Sequence, residues 1–218
     1  MAKLYVITNC LDRFRSLLIP IIDGKIVYRI ITNEQELNYT EKNVKNDDIL
    51  FSYSHSIVLN KRILEKFKLA VNVHAGPPSY PGRDIQHFAV YNGVTEYGAT
   101  LHMMTEKVDS GEILDVEMFA VKEEINPIEL HRLANDAAFK LISRNLPKII
   151  SGKKLVPIGI RWGEKKYTRK DFIEMCTISH SMSNEEIDKR IKIFTVPGYQ
   201  NIRTNIRGYW FYYKNESI

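Results

Sequence analysis

Val71-Asn72-Val73-His74-Ala75-Gly76-Pro77-Pro78-Ser79-Tyr80-Pro81-Gly82-Arg83 decides how this chain is read. Leu69 to Val73 is short, apolar and rich in β-branched residues, which predicts a strand. Asn72 and His74 are two apart, so on an extended backbone they share one side. A Gly/Pro-rich loop follows at once, placing both side chains at the mouth of a sheet. Gly76, Pro77, Pro78, Pro81 and Gly82 make that loop stiff.

A second segment, Lys107-Val108-Asp109-Ser110-Gly111-Glu112-Ile113, carries a carboxylate next to a Ser-Gly turn. Amide, imidazole and carboxylate are the groups needed to hold an oxyanion, handle a proton and orient the group that handles it. Asn72, His74 and Asp109 are therefore the candidate catalytic set, and the chemistry they suit is acyl transfer.

Outward from this stretch, strand-like and helix-like segments alternate. Lys3 to Ile7 predicts a buried strand. Phe14, Leu17, Leu18 and Ile21 are helically spaced within Asp12 to Ile22, which Pro20 ends or bends. Lys25 to Ile31 and Asp48 to Tyr53 predict strands, with Ser54-His55-Ser56 as the exit of the second. Glu34 to Asn43 is polar, a short helix or a loop. Asn60 is placed to cap a helix over Lys61 to Phe67. After the Gly/Pro loop, Asp84 to Tyr91 predicts a helix, and Tyr97 to Met104 and Gly111 to Val121 predict strands.

Asn126-Pro127 opens a long amphipathic helix to about Ile150, with Pro127 suited to its first position. The expected architecture is α/β: a Rossmann-like, doubly wound, mostly parallel sheet over residues 1–151. Residues 152–218 change character, interleaving Trp162, Tyr167, Phe172, Pro197 and Tyr199 with charges. They predict a small α+β appendage with a helix at Asn184 to Phe194. It ends in a β-hairpin over Ile202 to Tyr213, turning near Asn205 to Gly208.

Composition narrows the function classes. The chain has 218 residues, 44% hydrophobic, enough for one core and a small appendage. No apolar run approaches the ~20 residues of a membrane span. Met1 to Ile7 reads as a first strand rather than a signal peptide. The two cysteines, Cys10 and Cys176, lie far apart without metal-ligand spacing, so no metal and a reducing, cytoplasmic setting are expected. The net charge of +5 is scattered over pairs such as Lys61-Arg62 and Lys165-Lys166. That favours an anionic small molecule over nucleic acid. A dehydrogenase is disfavoured because no Gly-x-Gly-x-x-Gly follows the first strand.

Four pieces in order resemble the folate-dependent formyltransferase family: Asn72-Val73-His74; Pro77 to Arg83; Asn92 to His102, with its Gly98-Ala99-Thr100-Leu101-His102 strand; and Val108-Asp109-Ser110-Gly111. The loop variant Pro-Pro-x-Tyr-Pro-Gly is most similar to the branch that formylates amino sugars on nucleotide carriers. Relatives acting on glycinamide ribonucleotide carry a glycine-rich phosphate loop after the first strand. Here that place holds Thr8-Asn9-Cys10-Leu11-Asp12. Methionyl-tRNA formyltransferases carry a fuller tRNA-binding domain than the stretch after Gly152 provides.

The resemblance implies formyl transfer from 10-formyltetrahydrofolate to a nucleotide-linked amino sugar, for surface polysaccharide. A thymidine-diphosphate 4-amino-4,6-dideoxyhexose is the best guess. Asn72 would donate to the oxyanion, and His74 would remove the amine proton or, protonated, help hold the oxyanion. Asp109 would orient His74. Tyr53, Ser54 and His55 would line the pterin pocket, and backbone groups of Val108 to Gly111 would bind the pterin edge. Tyr80 and Arg83 would face the substrate, Arg83 on its pyrophosphate. His102 is either part of the site or a strand histidine packed beneath it, and His87 is a filler. The aromatic tail, Trp210 and Phe211 above all, suggests a homodimer. Rival readings are a formyltransferase for another amine, or an idle binding protein on the same fold.

Overall fold

The computed structural model describes residues 2–17, 19–55 and 57–214, without the side chains of Phe14, Leu17 and Ile21. The expected apolar stripe through Phe14, Leu17, Leu18 and Ile21, and Ser56 in the exit of its strand, lie outside that description.

Six strands form the main sheet: β1 (Lys3–Thr8), β2 (Val27–Ile31), β3 (Ile49–Tyr53), β4 (Leu69–His74), β5 (Glu96–Met103) and β6 (Ile113–Ala120). Their order is β2-β1-β3-β4-β5-β6. The first four pair in parallel, while β4/β5 and β5/β6 are antiparallel. The mostly parallel α/β architecture is as expected.

The residues of β4 alternate between two cores. Val71 and Val73 join Phe51, Tyr53, Ala99 and Leu101 against α6 (Pro127–Ile150). Ala70 joins Tyr5, Ile7 and Leu50 on the opposite face. Asn72 and His74 share the parity of Ala70, so the site lies on the face away from α6. Burial of both faces explains the near-continuous apolar runs of the inner strands.

Side-chain caps define several helices. Asn33 accepts from Glu36 N ahead of α3 (Glu34–Asn43), which resolves that segment as a helix. Asn60 accepts from Ile63 N ahead of α4 (Lys61–Leu64), which stops short of the expected Phe67. Asn126 accepts from Glu129 N ahead of α6, with Pro127 at its start. Helix is described over α1 (Leu11–Leu17) and α2 (Ile19–Ile22).

The C-terminal part adds α7 (Arg169–Met175), β7 (Thr177–Ile178), α8 (Asn184–Phe194), β8 (Arg203–Ile206) and β9 (Tyr209–Tyr212). The hairpin turns through Arg207 and Gly208, both at positive φ, in the two-residue geometry that matches strand twist. The sequence reading lacks α7 and β7. The signal for α7 was present: Thr168 and Asp171 form a reciprocal capping box. One core contains Tyr80, Ile85, Phe88 and Tyr97 together with Tyr167, Phe172, Phe194 and Ile202, so the two parts of the chain share it. Here α8 packs on α5 (Ile85–Tyr91).

Candidate active site

Three backbone features bring the site together. Antiparallel pairing sets Asn72 opposite His102 and His74 opposite Thr100. Directly opposed side chains on one sheet face lie within reach of each other. The β5/β6 register then shifts beside His102: Leu101 pairs with Asp115 and His102 with Ile113, leaving Leu114 as an extra residue. Such bulges re-aim side chains next to functional sites. Finally, Asp109 is held at φ 46, in the left-handed region. Asp tolerates that region better than most residues, at a cost of about 1 kcal/mol.

Four side chains form one cluster. His74 Nδ1 is 3.4 Å from Asp109 Oδ2, and His102 Nε2 is 3.5 Å from Asp109 Oδ1. Asn72 Nδ2 is 3.0 Å from His102 Nε2. His102 Nδ1 is 2.8 Å from the Met103 carbonyl, which only accepts, so the ring hydrogen sits on Nδ1. Nε2 is then free to accept from the Asn72 amide. This fixes which end of Asn72 carries nitrogen and leaves it one further N–H. His74 Nε2 likewise donates to the Tyr80 carbonyl at 2.9 Å, which leaves Nδ1 toward Asp109. His102 therefore belongs to the cluster.

Asp109 is 6% exposed. Burial pushes its carboxyl up, but the His74 and His102 rings in their charged form and the Gly82 N–H outweigh that and draw it down to about 2. The Gly82 N–H reaches Oδ2 at 2.9 Å. A Cβ on Gly82 would meet the Tyr167 carbonyl at 2.0 Å, and one on Gly76 would meet His74 Nε2 at 2.5 Å. The glycines of the loop thus make room for the backbone behind it and for the imidazole beside it.

A segment distant in sequence clamps this loop. Gly163 N donates to Pro78 O, Tyr167 N to Pro81 O and Arg83 N to Tyr167 O. Trp162 brings its ring edge-to-face with His74 and His102, and its Nε1 donates to Gly111 O at 2.8 Å. Lys166 Nζ donates to Val108 O at 2.6 Å. Beside Asp109 lies an open cavity of about 500 Å³, lined by Val108, Gly111 and Trp162 and by three cations, Lys107, Arg161 and Lys166. The sequence reading gives Trp162, Arg161 and Lys166 no role in the site. All three come from a stretch without regular secondary structure, where periodicity gives no signal.

The remaining expected residues fall as follows. Val108 and Gly111 line the cavity, with their carbonyls already engaged by Lys166 and Trp162. Tyr53 does not face the cluster. Its register partner is Val73, so its ring turns to the α6 side, packs on Phe139 and donates to Asn135, while burial pushes the phenol up. Ser52 is the β3 residue level with Asn72. Ser54 is exposed at φ 49, and its carbonyl accepts from Asn9 N. His55 Nδ1 accepts from Ile57 N, its Nε2 is buried without a partner among the described residues, and burial lowers its pKa. The Tyr80 ring turns inward. It is buried, stacked on Tyr167 and held by Asn92, and only its carbonyl faces the site. Arg83 is exposed and lies 3.2 Å from Asp84. His87 is buried with Nδ1 donating to Ile193 O, which makes it structural. Among the described residues no group of three or more His, Cys, Asp or Glu is placed to hold a metal, and no helix is long and apolar enough to cross a membrane.

Residues 30–146 match the model of the formyl transferase family, "Formyl transferase", and the chain belongs to that family. Over 163 residues it is 30% identical to a methionyl-tRNA formyltransferase of Geobacillus sp. (strain WCH70), covering 74% of this chain and 46% of that protein. The chain thus spans about half the length of that relative. A sugar N-formyltransferase from a Shewanella species has a similar structure (TM-score 0.80, 14% identity, 98% of this chain and 97% of that one). So does an N-formyltransferase from Helicobacter canadensis solved with folinic acid and dTDP-3-aminofucose (TM-score 0.72, 20% identity, 95% and 85% covered).

Proposed function

We propose that this protein transfers a formyl group from 10-formyltetrahydrofolate to the amine of a nucleotide-linked amino sugar. The observation that carries the reading is the close-packed set Asn72, His102, Asp109 and His74 beside a cavity rimmed by cations. The folate supplies the one-carbon unit as an N-formyl group. The cavity suits such a molecule, with an indole wall, backbone groups of Val108 to Gly111 and positive charge at the mouth.

Each residue has a role fitted to its geometry. The unused Asn72 N–H donates to the oxygen that gains charge when the amine adds to the formyl carbon. His74, flanked by Asp109 and the Tyr80 carbonyl, handles the proton that the amine sheds as the new C–N bond forms. Asp109 keeps its charge at any working pH and stabilises the imidazolium that forms when His74 takes the proton on Nδ1. The old C–N bond breaks with a proton delivered to the departing nitrogen. Lys107, Arg161 and Lys166 favour anionic substrates, and exposed Arg83 is the candidate for the pyrophosphate.

The candidate sugar remains a thymidine-diphosphate 4-amino-4,6-dideoxyhexose, made for surface polysaccharide in the cytoplasm. Residues 1–151 form the catalytic core in this reading, and 152–218 the appendage that completes the loop. The hairpin presents Tyr209, Trp210, Phe211 and Tyr212, all exposed, on an unpaired edge strand, which supports a homodimer built through it. An assay with 10-formyltetrahydrofolate and a panel of nucleotide amino sugars tests the reading. Turnover with one or more sugars is expected. Turnover with glycinamide ribonucleotide or methionyl-tRNA alone, or none with any amine, overturns it.

A further inference from the structure

Trp162 is half-buried in a stretch without helix or strand, yet its contacts converge on one histidine from two directions. Its ring stands at 89° to the His102 ring, with centroids 5.0 Å apart, and also meets His74 at 5.8 Å. Its Nε1 donates to Gly111 O. Gly111 in turn presses on Met103, since a Cβ there would lie 1.9 Å from the Met103 carbonyl oxygen. Met103 N donates to Glu112 O, tying the same turn to β5. The Met103 carbonyl is the acceptor for His102 Nδ1. A closed circuit therefore runs Trp162, Gly111, Met103, His102 and back to Trp162.

Two properties of His102 depend on that circuit. The perpendicular indole blocks rotation of the imidazole, and the pinned Met103 carbonyl keeps the ring hydrogen on Nδ1. Only that tautomer leaves Nε2 as the acceptor for Asn72, and only that contact aims the second Asn72 N–H away from the ring.

We propose that Trp162 is a positioning residue that fixes the ring plane and tautomer of His102, and through it the orientation of the Asn72 amide. The catalytic part of this inference rests on the formyl-transfer reading above. The tautomer part stands on the geometry alone.

The test pairs Trp162→Leu, which removes both the indole wall and the donor, with Trp162→Phe, which keeps a ring and removes the donor. In the free protein, ¹⁵N–¹H spectra of the histidine side chains read the tautomer of His102, assigned with His102→Gln. The wild type is expected to show hydrogen on Nδ1 and a bare Nε2, and W162L a mixture of tautomers. With 10-formyltetrahydrofolate and the accepted amino sugar, kcat at saturating folate should fall roughly 100-fold in W162L and roughly tenfold in W162F, with KM for the amino sugar little changed. A merely structural Trp162 would lower thermal stability and leave both readouts in place. An unchanged tautomer in W162L overturns the proposal, as does a lost tautomer with undiminished kcat. If W162L does not fold, W162F carries the same readouts. If the wild type transfers no formyl group, the functional reading fails while the spectra still decide the tautomer.

Discussion

The backbone N–H of Gly82 and the carboxylate of Asp109 meet at 2.9 Å across 27 residues of chain. The glycine-rich loop after β4 therefore does more than leave the sheet: it supplies a donor to the carboxylate that touches both site histidines. That donor is in place because Gly82 sits at φ 115 against the Tyr167 carbonyl.

Gly82→Ala should break this relationship. A methyl group 2.0 Å from a backbone oxygen must push either the loop or Tyr167 away. The expected cost is more than about 1 kcal/mol of stability at such a φ. An accompanying loss of turnover on the order of 100-fold follows from the displaced donor. Denaturant melts and initial rates check both, and wild-type values in each would remove Gly82 from the site.

Asp109→Asn preserves shape and removes charge. The folded-state pKa of about 2 lies below the ~3.9 of an unfolded chain. A depressed carboxyl stabilises the fold above the unfolded value and loses that contribution as pH falls through the folded one. The wild type should therefore exceed the variant by about 2 kcal/mol near neutrality. The gap should close between about pH 4 and pH 2. Urea titrations across that window measure it, and a gap independent of pH refutes the electrostatic account.

His74→Ala should leave the fold intact, because the ring lies at the mouth of the sheet and Val71 and Val73, on the opposite face of the strand, anchor it in the core. Turnover should fall by roughly 10²–10⁴-fold, the scale of a lost proton-transfer group. Asn72→Ala should cost about 3 kcal/mol of barrier through the missing oxyanion donor. Near-full activity in either variant, with circular dichroism unchanged, would mean that the cluster is not catalytic.

Tyr53→Phe separates a core role from a cofactor role. The ring packs on Phe139 and its hydroxyl donates to Asn135 on α6. Loss of that bond should lower stability by about 1 kcal/mol while KM for the folate stays unchanged. A raised folate KM with unaltered stability would return Tyr53 to the binding pocket.

Much of this arrangement is legible in the sequence because it obeys a short period. Asn72 and His74 are separable from Val71 and Val73 by alternation alone, and the caps at Asn60 and Asn126 announce their helices. Asp109 is legible through the Asp-Ser-Gly turn that resembles the family's pattern, since Glu106 and Glu112 flank it in the sequence. The misplaced residues share a different cause. Tyr53 ends a strand whose members are all buried, so pattern gives no hint of which face its ring takes, and pairing with Val73 decides it. Tyr80 belongs to a loop, and long-range stacking on Tyr167 draws its ring inward. Trp162 reaches Gly111 over 51 residues from a stretch with no regular element, so only the folded chain reveals it. His102 needed the β4/β5 register, which alternation does not supply.

The stitching of Pro78, Pro81 and Arg83 to Gly163 and Tyr167 bears on how such a protein diversifies. The tail is not a cassette to be exchanged freely beneath a constant catalytic head, because swapping it would redraw the floor on which Asp109 and His74 meet. Variation that preserves chemistry is instead channelled into the hairpin tip and the surface of α8, where a new sequence leaves those backbone seams untouched.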